Sequence, residues 1–502
     1  MRGISKERLR SDLRVIGYCL IVGLGATAFG FDQGLTSGFL AMQAYNRSFG
    51  YYNEAIGKYA MTAGRQTSLS GVLTGFILIA AMVAGPIGSK FGRKAGFIIT
   101  CIVGLIGSCI QMIPHFAATL VGKAFMGLAI GFTGQFCIPY WSEAAPVYLR
   151  GSIVIFYQFF INIPTFIGAC VDQGTYKISS NLAYQIPLIC TLLAPLVLLS
   201  LIYWLPESPR WLVTAGRIDE AKASLMKLRG QHAQREELDN EMKNIVNFIE
   251  LEKQYETSAS YMDCLRGTDL RRTMIATLSA SGQQLVGVAF LSGYSTYFFQ
   301  TVGVSNAFLV TVILNMCSVV AVLLSFVAIN YIGRRPLMIW GAGIMGVCMF
   351  SFAAVAEAHP NSTAAASFLI FCICLFSFTY TFTWGSASNI LLGEIPANRL
   401  RSKTISIAAS ASWIYADMGT KVGFIFGPIG IVVFILTWWI VPETKGRTLE
   451  EIDEMFMNRV PTRQFKTYVC TGNVNGIDVN TITENQKGQP MLEITHIEKG
   501  RS

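Results

Sequence analysis

The segments SEAAPVYLRG (142–151) and GEIPANRLRS (393–402) each place an acidic residue and an arginine at matching positions, with a proline between them, and this repetition decides the fold. Two further motifs recur in the same order about 240–250 residues later. They are FGRK (91–94) with IGRR (332–335), and PESPR (206–210) with PETKGR (442–447). The chain is therefore predicted to consist of two equivalent halves. Duplicated halves of this kind are typical of transporters, which bind their ligand near the membrane midplane between them.

The composition predicts an all-α membrane protein. Of the 502 residues, 52% are apolar and 14% are charged, and the mean hydropathy is +0.47. Soluble domains carry about 25% charged residues. Twelve apolar runs are each close to the roughly 20 residues that one helical crossing requires. No Walker-type phosphate-binding motif occurs, which argues against an ATP-driven pump.

The distribution of basic residues predicts the orientation in the membrane. The polar, basic N-terminus has no signal-peptide pattern, and basic clusters fall in alternate loops and in the tail. Both termini are therefore expected in the cytoplasm, and the net charge of +9 indicates topology and not nucleic-acid binding. The sequons at Asn46 and Asn361 fall on the outer side and are candidate glycosylation sites.

Four segments are expected: a first six-helix bundle (1–206), an intracellular helical linker (207–270), a second bundle (271–443) and a largely disordered cytoplasmic tail (444–502). The linker is interpreted either as a latch that contacts both halves or as a set of solvated helices. The twelve cysteines lie mostly in apolar runs without metal-ligand spacing, so we expect small core residues, no metal and no cofactor.

In combination, PESPRWL (206–212), PVYLRG (146–151), GRRP (333–336) and PETKGRTLEEID (442–453) resemble the sugar porter family of the major facilitator superfamily. GYSTYFF (293–299), IPANRLRSKT (395–404) and RVPTRQFKTYV (459–469) are most similar to the fungal alpha-glucoside branch, proton-coupled permeases for maltose-like sugars. The resemblance implies twelve transmembrane helices in two pseudo-symmetric bundles, alternating access and a multi-pass plasma-membrane protein. The expected ligands are a sugar and protons, and a monomer in the lipid bilayer is expected.

Asp32 lies within the first apolar run, where a charge costs roughly 2.5–3.5 kcal/mol even on lenient scales. In the proton-coupled members of the family, an acid at this position pairs with a cation on the fourth helix. That cation corresponds to Lys123 here. The resemblance implies that protonation of Asp32 frees Lys123 and shifts the preferred conformation. A structural ion pair, or two separate snorkelling side chains, is the alternative.

The resemblance also implies a sugar site built from amides and aromatic rings, which can bond hydroxyls and stack on sugar faces. The candidates are Gln158, Gln283, Gln284, Tyr294, Asn315, Asn389 and Trp413. Buried glutamines could instead join helices through hydrogen bonds. Hexose porters have larger residues than Ala289 and Gly293, and a Trp where this chain has Asn389. These departures favour a disaccharide or a larger glucoside.

The family's intracellular gate is a network of acids and arginines at the cytoplasmic ends of the helices. The matching residues are Arg93, Glu143, Arg150, Arg334, Glu394 and Arg401. Only 40 residues separate Arg401 from Pro442, against 55 in the first half, so the eleventh span (404–417) is predicted to be shortened. A sugar receptor that does not transport, and a hexose uniporter, remain alternatives to the proton symporter.

Overall fold

The computed structural model describes residues 6–54, 57–145, 150–230, 238–243, 245–246, 249–250, 261–301, 304, 306–358, 363–395, 404, 423–445, 447, 449–468, 470, 473–474 and 477–478. In these ranges the long elements are all helices. The strands form two short antiparallel hairpins, Tyr51–Asn53 with Lys58–Ala60 (β1 and β2) and Asn473–Val474 with Ile477–Asp478 (β3 and β4).

The first half and the start of the linker contain eight helices. They are α1 (Lys6–Ala41), α2 (Gln43–Phe49), α3 (Ala63–Gln111), α4 (Phe116–Ala144), α5 (Arg150–Thr175), α6 (Leu182–Leu201), α7 (Pro209–Thr214) and α8 (Ile218–Arg229). Helix α3 bends at Gly92, whose φ of +91° is accessible to glycine. At 1.5 Å per residue its 49 residues span about 74 Å, so it contains two membrane crossings.

The second half begins after a short 3₁₀ turn, Tyr261–Leu265. Its helices are α9 (Gly267–Leu285), α10 (Val288–Thr301), α11 (Ala307–Tyr331), α12 (Arg334–Ala358), α13 (Thr363–Tyr380), α14 (Ser386–Glu394) and α15 (Gly423–Ile440). Gly287, with a φ of +99°, separates α9 from α10. A single π-helical turn, Thr381–Gly385, joins α13 to α14. The shortened span predicted over 404–417 lies almost wholly outside the described residues.

Eight helices in the described part of the chain are long and apolar enough to cross a membrane, and Phe426–Ile440 is a shorter apolar helix. This finding confirms the all-α membrane class. Small residues allow the closest helix contacts, as membrane bundles require. Along α1, Gly30 and Gly34 face the α5 backbone, where an added Cβ would lie 2.1 Å from the Ile161 carbonyl oxygen and 2.4 Å from that of Thr165.

The beginning of the tail is folded, although 444–502 was expected to be largely disordered. Helix α16 (Leu449–Met457) is followed by a 3₁₀ turn, Thr462–Gln464, and Phe456 and Phe465 are buried against each other. Arg271, at the start of α9, donates to the Val460 carbonyl (2.9 Å). Phe456 and Phe465 form a small apolar core, which the mostly polar composition of this segment did not predict.

Candidate functional site

Asp32 and Lys123 form an ion pair in the interior of the first half. The Lys123 Nζ lies 2.7 Å from Asp32 Oδ1, and the residues are 4% and 3% exposed. Lys123 also donates to Thr36 Oγ1 (3.1 Å), one turn further along α1. The structure therefore brings the two predicted residues together and excludes snorkelling to the surface. Protonation of Asp32 would remove half of this pair and leave a buried ammonium without its counter-charge.

Helices α1 and α5 are in close contact on either side of Asp32 in the chain. Because Gly30 and Gly34 leave no room for a side chain, the backbones of the two helices meet directly. The Thr165 hydroxyl bonds the Gly30 carbonyl across this contact (2.9 Å). Asp32 lies between these glycines in the chain, so its carboxylate is carried on a helix that is held tightly.

Three predicted sugar-site amides converge on the backbone of the π-helical turn. Gln283 Nε2 donates to the Trp384 carbonyl (3.1 Å), and Asn389 Nδ2 donates to the Gly385 carbonyl (3.0 Å). Gln158, from α5 in the first half, packs on Gly385 so closely that an added Cβ would lie 3.2 Å from its amide carbon. Residues of both halves therefore meet at Trp384–Gly385. Single π turns in helices are frequently found at functional sites.

Two more candidates present amides with no hydrogen-bond partner among the described residues, namely Gln284 at the end of α9 and Asn315 on α11. Asn315 is 9% exposed, and Gln284 lies just before the break at Gly287. Amides without a protein partner remain able to bond sugar hydroxyls. The Tyr294 side chain and Trp413 lie outside the described part of the chain.

The first half has a charged cluster at the bend of α3. Arg93 Nη2 contacts Glu143 Oε1 (2.8 Å), and the second oxygen of Glu143 accepts from the Ser208 hydroxyl. Glu207 accepts from the backbone N–H groups of Arg93 and Lys94 (both 3.1 Å). Burial raises the pKa of the Glu207 carboxyl, and these hydrogen bonds partly offset that rise.

The second half repeats this arrangement. Arg334 Nη2 contacts Glu394 Oε1 (3.0 Å), and the second oxygen of Glu394 accepts from the Thr444 hydroxyl (2.6 Å). Glu443 accepts from the backbone N–H groups of Arg334 and Arg335 (both 3.1 Å). The two clusters are therefore equivalent, as the repeated motifs predict.

Sequence reasoning missed Glu207 and Glu443, although the echo of PES in PET was visible. Each carboxylate lies under a glycine of positive φ, Gly92 or Gly333, where an added Cβ would come within 2.6 Å of a carboxylate oxygen. Each also accepts N–H groups at the start of a helical segment, where a negative charge is favoured. The Arg150 side chain and Arg401, also predicted for the gate, lie outside the described residues.

Replacing Glu207 or Glu443 with Gln should lower the melting temperature of the detergent-solubilised protein by about 3–12 °C each. Loss of hydrogen bonds to a charged acceptor costs about 1.5–3 kcal/mol, and each 1 kcal/mol lowers the melting temperature of a unit of 150–250 residues by about 2–4 °C. The control is Glu220→Gln, because Glu220 pairs with Arg217 where both side chains are more than half exposed. Equal melting temperatures for the Glu207 and Glu220 variants would contradict this.

A chain of buried hydroxyls on α1, α10 and α11 joins the two halves. Thr296 Oγ1 on α10 bonds Ser37 on α1 (3.2 Å) and Thr311 on α11 (2.8 Å). Nearby, the rings of Tyr176 and Phe308 stack with their centroids 4.5 Å apart. Sequence reasoning did not identify these contacts, because single hydroxyls in apolar runs carry no distinctive pattern.

The sequon at Asn46 is not available for glycosylation in the folded chain. The residue is 5% exposed, and its amide nitrogen, to which a glycan would be attached, donates to the Leu40 carbonyl (3.0 Å). The expectation of a glycan there is wrong because helix α2 folds back onto the end of α1. The second sequon, Asn361, lies outside the described residues.

Comparison with known proteins agrees with this architecture. The family model "Sugar (and other) transporter" matches residues 18–456. The low-affinity glucose transporter HXT3 of Saccharomyces cerevisiae is 30% identical over 477 residues, which cover 90% of this chain and 84% of that protein. The hexose transporter HXT10 of the same yeast is 28% identical, over 89% and 86% of the two chains.

Among solved structures, the proton:xylose symporter XylE matches with a TM-score of 0.75 and 23% identity, over 89% of this chain and all of that chain. These relatives do not support the alpha-glucoside branch that the sequence motifs suggested. They do confirm the major facilitator fold and a multi-pass membrane transporter that is not an enzyme. The chain therefore belongs to the sugar transporter family of the major facilitator superfamily.

Proposed function

We propose that this protein imports a hexose-sized sugar across the plasma membrane together with protons, by alternating access of its two halves. The observation that carries proton coupling is the buried ion pair of Asp32 and Lys123. Ionisable residues inside a membrane protein are costly and mark proton or ligand pathways. The hexose class is suggested by the yeast relatives, which are hexose and glucose transporters.

In the proposed cycle, a proton from the outside neutralises Asp32 and releases Lys123. The change in charge alters which conformation is favoured, because only a difference in stabilisation between two states can shift their populations. The sugar binds where Gln158 meets the π-helical turn. Because that contact joins the halves, a ligand bound there stabilises the closed state of the cavity.

A second candidate substrate is an alpha-glucoside such as maltose. Ala289 and Gly293 are smaller than the residues of hexose porters, and Asn389 replaces a Trp. No donor in the described part of the chain bonds the Asn389 amide oxygen, so this residue adds hydrogen-bonding capacity where a larger sugar would need it.

The test is uptake of labelled glucose and labelled maltose by cells that lack their own sugar carriers, at acidic and neutral external pH. Uptake of glucose that rises with acidity, and that excess unlabelled maltose does not inhibit, is the expected result. Inhibition by maltose with maltose uptake would favour the glucoside. Binding without any uptake would indicate a receptor, and uptake insensitive to pH a uniporter.

Replacing Gln158 with Ala should raise the sugar KM by a factor of about 5–150, because loss of one or two hydrogen bonds to a ligand costs about 1–3 kcal/mol. The measurement is the concentration dependence of initial uptake rates. Asn162→Ala is the matched control, since Asn162 lies one turn further along the same helix and its amide donates to the Gln158 backbone carbonyl (2.7 Å). A KM unchanged in the Gln158 variant would remove this residue from the sugar site.

A further inference from the structure

Asp172 is a second buried carboxylate, which the proposed cycle does not use. It lies on α5 near the outer end, is 1% exposed, and neither carboxylate oxygen has a hydrogen-bond partner among the described residues. It packs on the bare backbone of Gly38, where an added Cβ would lie 1.9 Å from Asp172 Oδ2. An isolated charge in such a place is far more costly than a neutral carboxylic acid.

Asp172 lies outward from Asp32. Gly38 follows Asp32 by six residues on α1, which corresponds to about 9 Å along the helix at 1.5 Å per residue. With the N-terminus in the cytoplasm, as the basic residues predict, α1 runs outward from Asp32 to Gly38. Asp172 is therefore nearer the outer surface than the Asp32–Lys123 pair.

The surroundings of Asp172 include the outer contacts between the halves. Ser37, which bonds Thr296 of the second half, immediately precedes Gly38. Tyr176, which directly follows the end of α5, stacks on Phe308. Opening the outer side must break both contacts, and water would then gain access to the end of α5. The burial of Asp172 therefore depends on the closure of the outer side.

No cation within the described residues balances a charge on Asp172. The ionisable groups on the surrounding parts of α1, α2, α5, α6 and α10 include Asp32, which pairs with Lys123, and the exposed residues Arg47, Cys170 and Lys177. The others are Cys190 and the tyrosines Tyr45, Tyr176, Tyr184 and Tyr297. Tyrosines are neutral below pH 9 or so. Lys177 is exposed and lies over the Tyr176 ring, 5.7 Å from its centroid. A proton is therefore the means by which Asp172 can be neutralised.

We propose that Asp172 is a second proton-binding site, which takes up a proton from the outside when the outer side of the protein closes and releases it there on opening. Its consequence for transport rests on the proposed function, but proton binding itself does not. External acid then favours the closed outer side independently of Asp32. Asp172 acts as a sensor of external pH, whereas Asp32 couples proton flow to sugar flow.

Infrared spectroscopy of the purified protein tests proton binding without any transport. At neutral pH, the wild type and Asp32→Asn should show the carbonyl band of a protonated aspartic acid, and Asp172→Asn should lose it. In wild type, carbon-13 labelling of aspartate should shift this band, which also covers the case in which the variant fails to fold. A band that survives in Asp172→Asn, or that does not shift on labelling, would overturn the proposal.

Sugar exchange across vesicles, which needs no net proton movement, tests the functional consequence. In Asp32→Asn, which lacks the titratable group of the coupling pair, the exchange rate should fall as external pH rises, and in the double variant Asp32→Asn/Asp172→Asn it should be independent of pH. A pH profile in the double variant equal to that of Asp32→Asn would refute the sensor role. Loss of accumulation in Asp32→Asn tests the proposed function separately, so the two failures are distinguishable.

Discussion

Replacing Asp32 with Asn should reduce sugar accumulation to simple equilibration across the membrane. At 100 mV, one proton entering with each sugar supplies about 2.3 kcal/mol, which corresponds to about a fifty-fold concentration ratio. The amide cannot take up a proton, so the ratio should fall to about one, while exchange of sugar down its gradient continues. The measurement is the steady-state ratio of labelled sugar in energised vesicles.

Asp32→Glu is the matched control, since it retains a titratable carboxyl near Lys123 and should retain part of the accumulation. Undiminished accumulation in Asp32→Asn would exclude the acid from coupling and leave it a structural role. Removing Lys123 should have a different effect, which is loss of stability. Lys123→Ala leaves an unpaired buried carboxylate, and breaking such a pair by removing one partner costs about 3–5 kcal/mol.

Replacing Gly30 with Ala should destabilise the folded protein and reduce its yield. The added Cβ would lie 2.1 Å from the Ile161 carbonyl oxygen, and a backbone atom cannot move aside as a flexible side chain can. Forcing α1 away from α5 costs about 1–3 kcal/mol by overpacking alone, which lowers the ratio of folded to unfolded protein by a factor of about 5–150. It would also break the bond from Thr165 to the Gly30 carbonyl (2.9 Å).

The measurement is the fraction of detergent-extracted protein that elutes as a single species in size-exclusion chromatography. Gly75→Ala is the control, because Gly75 also lies within a membrane helix but its added Cβ meets nothing within 4 Å. Alanine is the better helix former by about 1 kcal/mol, so this variant should be at least as stable as the wild type. Similar yields for both variants would show that α1 and α5 tolerate separation.

The two charged clusters show which contacts the sequence predicts and which it does not. The repeated motifs identified Arg93, Glu143, Arg334 and Glu394, and the structure pairs them as two equivalent ion pairs. The same motifs contained Glu207 and Glu443, but their function depends on contacts with backbone N–H groups more than 100 residues away in the chain. Side-chain identity predicts which charged side chains can pair with each other. Backbone N–H groups are alike along the chain, so the sequence does not identify those that a given carboxylate will contact.

The sequence by itself determined the membrane class and the two equivalent halves, and its resemblance to the sugar porters implied the partnership of Asp32 with Lys123. Composition and repetition are properties of the chain, and a charge in an apolar run is costly enough to indicate a functional role. Only the tertiary structure decided the burial of Asn46, the convergence of Gln158, Gln283 and Asn389 on one π-helical turn, and the isolation of Asp172. These features depend on which faces of distant helices meet. The periodicity of a helix indicates which face is buried, but it does not identify the neighbour against which that face packs.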